Sequence, residues 1–145
     1  MNIKIVTHDW RGPSSEARKD VVYAVGEITE APDWDGGLPV CGGGIHFYAE
    51  DGDYLPTMPS DGRFIEIEPI GAVVRVDHNK SKCRAIKTLR EIDPMELTYD
   101  TDCNVRWVAG GRITDQARLM ELTHDTHWYV RLAAGWRLKE LGAEK

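Results

Sequence analysis

The chain of 145 residues suits one compact domain, or one small domain with an appendage. Hydrophobic residues make up 41% of it and charged residues 29%, a composition that is ordinary for a folded protein and excludes extended disorder. The net charge of −6 argues against nonspecific attraction to nucleic acid, so we expect no nucleic-acid partner. No apolar run approaches the roughly 18 residues needed to cross a bilayer, so we expect no membrane association.

The three cysteines, Cys41, Cys83 and Cys103, are widely spaced and odd in number. This pattern argues against a disulfide framework and indicates a reducing compartment, and the N-terminus lacks the long apolar core of a signal peptide. We therefore expect the protein in the cytoplasm. Cys41 and His46 have the spacing C-x4-H, but no second close pair completes a zinc signature. The sequence predicts no metal and no other cofactor.

The first part of the chain, residues 1–92, has the pattern of strands separated by turns. Apolar and polar residues alternate with period two in several short segments, and glycine, proline and aspartate cluster between them. The predicted strands cover residues 2–7, 21–28, 44–48, 63–68, 72–76 and 85–92. In residues 63–68, Ile65 and Ile67 fall on one face and Glu66 and Glu68 on the other. We predict a twisted antiparallel sheet, with a short helix within 14–20 and turns at 56–62 and 77–82.

The pattern changes at Asp93-Pro94, which suits a helix start with Asp as N-cap and Pro at the first helical position. The nineteen residues from Met95 to Ile113 recur without a gap from Met120 to Leu138, and eleven positions are identical. Repeats this short indicate stacked supersecondary units. We predict two units in residues 93–145, each made of two helices, packed on the β-rich part. The expected fold class is therefore α+β.

The same region also predicts where its helices begin and end and which face of the last helix is packed. Thr114 is predicted to cap the first helix of the second unit, Asp125 or Thr126 to cap its second helix, and Gly142 to end it. One face of that last helix should pack on Leu119 and Leu122. This face consists of Val130, Ala133, Ala134, Leu138 and Leu141.

Two arginines, Arg112 and Arg137, fall on the apolar faces of the two units. A buried guanidinium needs a carboxylate, so we expect each to reach an acid that recurs with the same period. The candidate acids are Glu96, Asp100, Glu121 and Asp125.

The opposite face of the last helix is also apolar, because Trp128, Leu132 and Trp136 recur at every fourth residue. Cys103 and Trp107 are the equivalent positions one repeat earlier. A helix that is apolar on both sides must bury both or present one to a partner. The stripe therefore either docks on the β-rich part or forms a binding surface. The candidate binding residues are Trp107, Trp128, Arg131, Leu132 and Trp136.

The repeat resembles leucine-rich-repeat-variant and HEAT-like helical repeats, in which an Asp is followed by Val-Arg, small residues and a Leu. Here these positions are Asp125, Val130-Arg131, Ala133-Ala134 and Leu138. The resemblance implies binding to protein or nucleic acid without catalytic residues. Gly110-Gly111 departs from the pattern and should weaken the first unit by about 1 kcal/mol per glycine.

The first part of the chain resembles a domain-of-unknown-function family seen mostly in phage and prophage proteins. The shared segments are Tyr23-x-Val25-Gly26-Glu27, Cys41-x-x-Gly44-Ile45-His46, Arg63-Phe64-Ile65-Glu66-Ile67 with Gly71, and the basic stretch Lys82–Lys87. This resemblance implies a phage-encoded accessory protein in a bacterial cytoplasm, a class that includes inhibitors of host defence enzymes. A protein partner is expected, and a homo-oligomer is compatible with the sequence.

One enzymatic alternative remains at this stage. Residues 43–49 resemble the second motif of ADP-ribosyltransferases, in which a glycine-led strand places an aromatic residue beside the nicotinamide of NAD. His8 on the first strand, His46, and a glutamate such as Glu66 or Glu68 would then form the catalytic set. The sequence thus favours a binding module and keeps an ADP-ribosyltransferase-like enzyme as the alternative.

Overall fold

The computed structural model describes residues 1–12, 21–40, 42–49, 62–77 and 80–142. It forms two compact units, with the division between Ile92 and Asp93, and we call them the β unit and the helical unit. The predicted short helix within 14–20 lies outside the described residues, as do Cys41 and most of the predicted turn at 56–62.

The β unit contains two antiparallel sheets where the sequence predicts one. The strands are β1 (Ile3–Val6), β2 (Ile28–Glu30), β3 (Ile45–Phe47), β4 (Arg63–Ile70), β5 (Val74–Arg75), β6 (Ser81–Cys83) and β7 (Ala85–Ile92). One sheet has the order β1-β4-β7-β2 and the other β3-β6-β5. An isolated bridge between Ile3 and Tyr48 links β1 to the residue after β3. The predicted antiparallel pairing is confirmed for these strands.

The core of the β unit lies where the alternation predicts it. Ile65 and Ile67 of β4 are buried, and Glu66 and Glu68 on the other face are not. The buried cluster consists of Val6, Val21, Tyr23, Ile45, Phe47, Ile65, Ile67, Cys83 and Ile86. The period-two pattern therefore identifies the inward face of β4.

Two predicted boundaries in the β unit are wrong. Residues 21–28 do not form one strand, because the backbone turns at Gly26 (φ 85°) and β2 begins only at Ile28. Ser81 and Lys82, the last two residues of the predicted turn 77–82, belong to the fully buried strand β6. A lysine at its centre gives β6 a polar pattern. However, Lys82 is buried because its Nζ lies 2.6 Å from Oδ2 of Asp35, which neutralises the charge.

The helical unit contains four helices, in agreement with two predicted helix pairs. They are α1 (Pro94–Leu97), α2 (Cys103–Gly110), α3 (Gln116–Leu122) and α4 (Trp128–Glu140). No strand occurs between residues 95 and 140, all of which the structure describes. None of the helices in the described part of the chain is long and apolar enough to cross a membrane.

The helix ends confirm two of the predicted caps and correct two others. Asp93 caps α1 by accepting a hydrogen bond from the N–H of Met95, and Gly142 (φ 71°) follows the end of α4. The cap of α3 is Asp115 instead of Thr114, since its carboxylate accepts from the N–H of Arg118. His127 precedes α4 without a side-chain cap, so neither Asp125 nor Thr126 has that role.

The predicted packing face of α4 is present. The core of the helical unit consists of Ile113, Leu119, Leu122, Val130, Ala134 and Leu138, with Leu141 packed against it. The glycine pair ends α2 at Gly110, whereas α4 continues to Glu140. The two equivalent helices therefore differ in length by more than one turn.

The close approach of two loops in the β unit gives a first testable prediction. A Cβ on Gly43 would overlap the carbonyl oxygen of Asp33, whereas one on Gly42 would have only Asp35 Oδ2 within reach, at 3.7 Å. Gly43→Ala should therefore lower the free energy of unfolding by about 2 kcal/mol or more, and Gly42→Ala by much less. Urea denaturation of the two variants measures the difference, and equal effects would contradict this loop contact.

Candidate protein-binding surface

Helix α4 carries a large apolar surface on the side away from its core contacts. Trp128 and Trp136 are 65% and 60% exposed, and Leu132 is 41% exposed. Arg131 lies beside them and is also exposed. We call Trp128, Arg131, Leu132 and Trp136 the α4 surface. Tryptophan side chains are usually largely buried, so two exposed tryptophans on one helix face are unusual for a surface without a partner.

Trp107, the fifth candidate binding residue, does not belong to this surface. It is partly buried on α2 and packs against the core of the helical unit. Its ring meets the ring of Tyr129 edge to face, with 5.8 Å between centroids. Tyr129 also places its hydroxyl oxygen 2.6 Å from Sγ of Cys103. The start of α4 therefore covers the face of α2 that carries Cys103 and Trp107.

An ion pair joins the two repeat units at the same place. Arg106 of α2 donates from Nε to Oδ2 of Asp125 at 2.9 Å and from Nη2 to Oδ1 at 3.1 Å. The two side chains are only 14% and 10% exposed. A bidentate pair shielded from water in this way is stronger and more directional than a surface ion pair.

The surroundings of Asp125 keep its carboxylate charged. Burial favours the neutral acid, but hydrogen bonds from Arg106 and from the N–H of His127 outweigh it, so the pKa of Asp125 lies below its usual value. The same carboxylate raises the pKa of Arg106. Both groups therefore remain ionised at neutral pH.

The repeat in sequence is also a repeat in hydrogen bonding. Arg106 Nη1 donates to the carbonyl oxygen of Asp100 at 3.0 Å, and Arg131 Nη1 donates to that of Asp125 at 2.7 Å. Oδ1 of Asp100 accepts from the N–H of Asp102, as Oδ1 of Asp125 accepts from that of His127. The Asp and the Arg of the pattern Asp, then Val-Arg, therefore form the same local structure in both repeat units.

The predicted partner of Arg137 is wrong. Arg137 lies 3.6 Å from Glu140 and donates to the carbonyl oxygen of Ile113 at 2.9 Å, so it reaches none of the four predicted acids. One turn separates Arg137 from Glu140 on α4, and the backbone carbonyls after α2 satisfy the rest of its guanidinium. The carboxylate of Asp125 instead pairs with Arg106, for which no acid was predicted.

The residues of the enzymatic alternative lie on separate elements. His8 is exposed in the turn after β1 and not on the strand, and His46 is buried on β3 of the three-stranded sheet. Glu66 lies on β4 of the other sheet, where Oε1 accepts from Nε of Arg90 at 2.7 Å.

Burial raises the pKa of the Cys83 thiol to about 11, so this cysteine stays protonated at neutral pH and is a poor nucleophile.

An open cleft of about 330 Å³ also occurs in the helical unit, and Asp93, Arg112 and Asp115 contribute to its lining. Both aspartates are engaged as N-caps, of α1 and α3. In the part of the chain that the structure describes, no group of three or more His, Cys, Asp or Glu side chains is arranged to hold a metal ion. The α4 surface is therefore the strongest candidate functional site.

The ion pair between the two repeat units gives a second prediction, and the equivalent arginine of the other repeat unit supplies the control. Arg106→Gln should destabilise the helical unit by about 3 kcal/mol, because it leaves the buried carboxylate of Asp125 uncompensated. Arg131→Gln, at the equivalent exposed position, should cost less than about 0.5 kcal/mol. Urea unfolding followed by far-ultraviolet circular dichroism compares them, and equal losses would contradict the assignment.

The same pair predicts a dependence on pH. Because the pKa of Asp125 is lowered in the folded chain, its contribution to stability is present above the unfolded pKa of about 3.9 and is lost as pH falls through the folded value. The stability difference between the natural chain and Asp125→Asn should therefore be constant near neutral pH and should shrink below about pH 4. A difference that does not change with pH would show that the charge of Asp125 is not the source.

The comparisons with known proteins concern the first two thirds of the chain. Residues 1–100 match the model of a domain of unknown function, DUF7666. The match continues past Ile92 and includes α1, whereas α2, α3 and α4 lie beyond it. No repeat family matches the helical unit, and no curated protein or solved structure matches the chain. Because the match covers well over half of its residues, the chain belongs to the DUF7666 family.

Proposed function

We propose that this chain is a protein-binding accessory module and that a protein partner binds the α4 surface. The observation that carries the proposal is the exposure of Trp128 and Trp136 on one face of a helix whose other face is packed. Leaving apolar area in water costs about 25 cal/mol per Å², so burial against a partner would recover much of this free energy. Tryptophan and arginine are also the residues most enriched at the centres of protein interfaces.

The enzymatic alternative has less support from the described residues. An ADP-ribosyltransferase needs its catalytic side chains around one nicotinamide, but His8 lies in the turn after β1 and Oε1 of Glu66 accepts from Arg90. The buried His46 is also not available to a substrate in this structure, since it is 8% exposed. The α4 surface requires no rearrangement before a partner can bind.

The narrower proposal is that the partner is an enzyme complex of bacterial defence, inhibited by a phage-encoded protein in the host cytoplasm. Its support is the resemblance of residues 23–27 and 63–67 to a family seen mostly in phage and prophage proteins. The membership in a family of unknown function is compatible with this proposal and does not select it.

The proposal predicts that binding and stability respond differently to changes on the α4 surface. Trp128→Ala with Trp136→Ala should leave the melting temperature within about 2 °C of the natural chain, because both side chains are largely exposed. The same variant should lose partners captured from a bacterial lysate by the tagged natural chain. Calorimetry and quantitative affinity capture measure the two effects.

Met120→Ala is the matched control, since Met120 is 54% exposed on α3, outside the α4 surface. It should keep both the melting temperature and the captured partners. If the double tryptophan variant instead melts several degrees lower and binds as before, the stripe stabilises the chain internally, as in the alternative interpretation of the sequence. That result would refute a binding function for the α4 surface.

A further inference from the structure

The repeat gives the α4 surface an internal counterpart, because α4 has the position in the second unit that α2 has in the first. The two arginines at this position make the same hydrogen bond to a carbonyl oxygen six residues earlier. With the offset of 25 residues, Trp128, Arg131 and Leu132 correspond to Cys103, Arg106 and Trp107. What covers the α2 residues is therefore a guide to what fits the α4 residues.

On α2, the counterpart surface is covered by two side chains from the start of α4. The carboxylate of Asp125 accepts two hydrogen bonds from Arg106, and the ring and hydroxyl of Tyr129 contact Trp107 and Cys103. Asp125 lies three residues before the first residue of α4, and Tyr129 is the second residue of that helix. The surface of α2 is thus covered by the start of a helix, where an acidic residue precedes an aromatic residue by four positions.

On α4, the same positions are open. Arg131 donates from Nη1 to the carbonyl oxygen of Asp125, and among the described residues no carboxylate reaches its guanidinium. Trp128 and Leu132 are exposed where Cys103 and Trp107 are partly covered. Trp136 extends the apolar surface along the part of α4 that has no counterpart on α2, because α2 ends at Gly110.

We infer that the α4 surface binds a helix of another protein that carries an acidic residue just before its first turn and an aromatic residue four positions later. This inference rests on the proposed function and specifies the partner. The acid pairs with Arg131, as Asp125 pairs with Arg106, and the aromatic residue packs on Trp128 and Leu132. Apolar residues farther along the same side of the partner helix cover Trp136.

The helix starts of a second copy of this chain do not offer a free pair of this kind. Among the four helices that the structure describes, only α4 begins with an acid four residues before an aromatic residue, at Asp125 and Tyr129. Those two side chains are already engaged within the helical unit. In the first unit the corresponding residues are Asp100 and Asn104, which lack the aromatic ring.

Two other acids of the sequence stand four residues before an aromatic residue. Glu30 precedes Trp34 with this spacing, but Glu30 is the last residue of strand β2 and does not begin a helix. Glu50 and Tyr54 have the same spacing and lie outside the described residues. The described helices of a second copy therefore do not match the α4 surface, and the occupant is a helix of a different protein.

The test titrates the whole chain, labelled with ¹⁵N, with an unlabelled peptide of residues 122–142, which contains Asp125 and Tyr129. In the peptide, Trp128→Ala and Trp136→Ala remove its own apolar surface. Two further substitutions in the peptide, Arg131→Lys and Gly135→Asp, introduce side chains that are joined by a lactam. The lactam stabilises the helix and lies on the side away from Tyr129, and circular dichroism verifies the helicity. We expect saturable shifts of the indole N–H signals of Trp128 and Trp136 in the protein, and none for Trp34.

A matched peptide with Asp125→Asn separates the charge from the apolar contact. It should bind the natural chain about fivefold more weakly than the first peptide, because the ion pair with Arg131 is lost. The two peptides should bind an Arg131→Gln variant equally. A Tyr129→Ala peptide should bind more weakly to both chains.

Three outcomes would overturn the inference. A helical peptide that produces no saturable shift at millimolar concentration would show that this kind of helix start does not fit. Equal binding of the first peptide and the Asp125→Asn peptide to the natural chain would refute the acid pairing while leaving the proposed function intact, because apolar binding would remain. Indole shifts that depend on the concentration of the chain alone, without peptide, would make a second copy the occupant.

Discussion

The helical unit depends on the ion pair between Arg106 and Asp125. Two short repeat units have a small core, and this pair connects them where α2 meets the start of α4. The carboxylate of Asp125 also accepts from the N–H of His127, immediately before α4 begins. One side chain therefore contacts both α2 of the other repeat unit and the backbone immediately before α4.

The order of strands and helices was largely predictable because it is local. Alternation located β1, β4 and β7, and the repeat located two helix pairs with Asp93 and Gly142 at their ends. One of the misses has a non-local cause. β6 has a lysine at its centre, and only the contact with Asp35, forty-seven residues away in sequence, makes that lysine compatible with a buried strand. A pattern of single residues carries no information about such a distant partner.

The candidate site was predictable to the level of a helix face but not to the level of individual contacts. Spacing at every fourth residue correctly placed Trp128, Leu132 and Trp136 together, and the helical period placed Val130, Ala134 and Leu138 opposite them. The same period gave no indication of which arginine reaches which acid. That depends on the register between helices, and there Arg106 takes the carboxylate while Arg137 takes backbone carbonyls. The recurrence of Asp and Val-Arg in both repeat units was the available signal, because this Asp and this Arg make the same local hydrogen bonds in each.

The joint between the two repeat units and the α4 surface contain equivalent residues of the repeat. Inside the helical unit, the arginine and its apolar neighbours on α2 receive an acid and an aromatic ring from the next helix. On α4 the equivalent residue is also an arginine, and the position equivalent to Cys103 holds the larger apolar Trp128. An exposed tryptophan would be unfavourable if this side of α4 contacted only water. Fold stability alone would favour polar residues on an exposed helix face. The conflict between that requirement and the exposed tryptophans is what favours recognition of a partner as the role of α4.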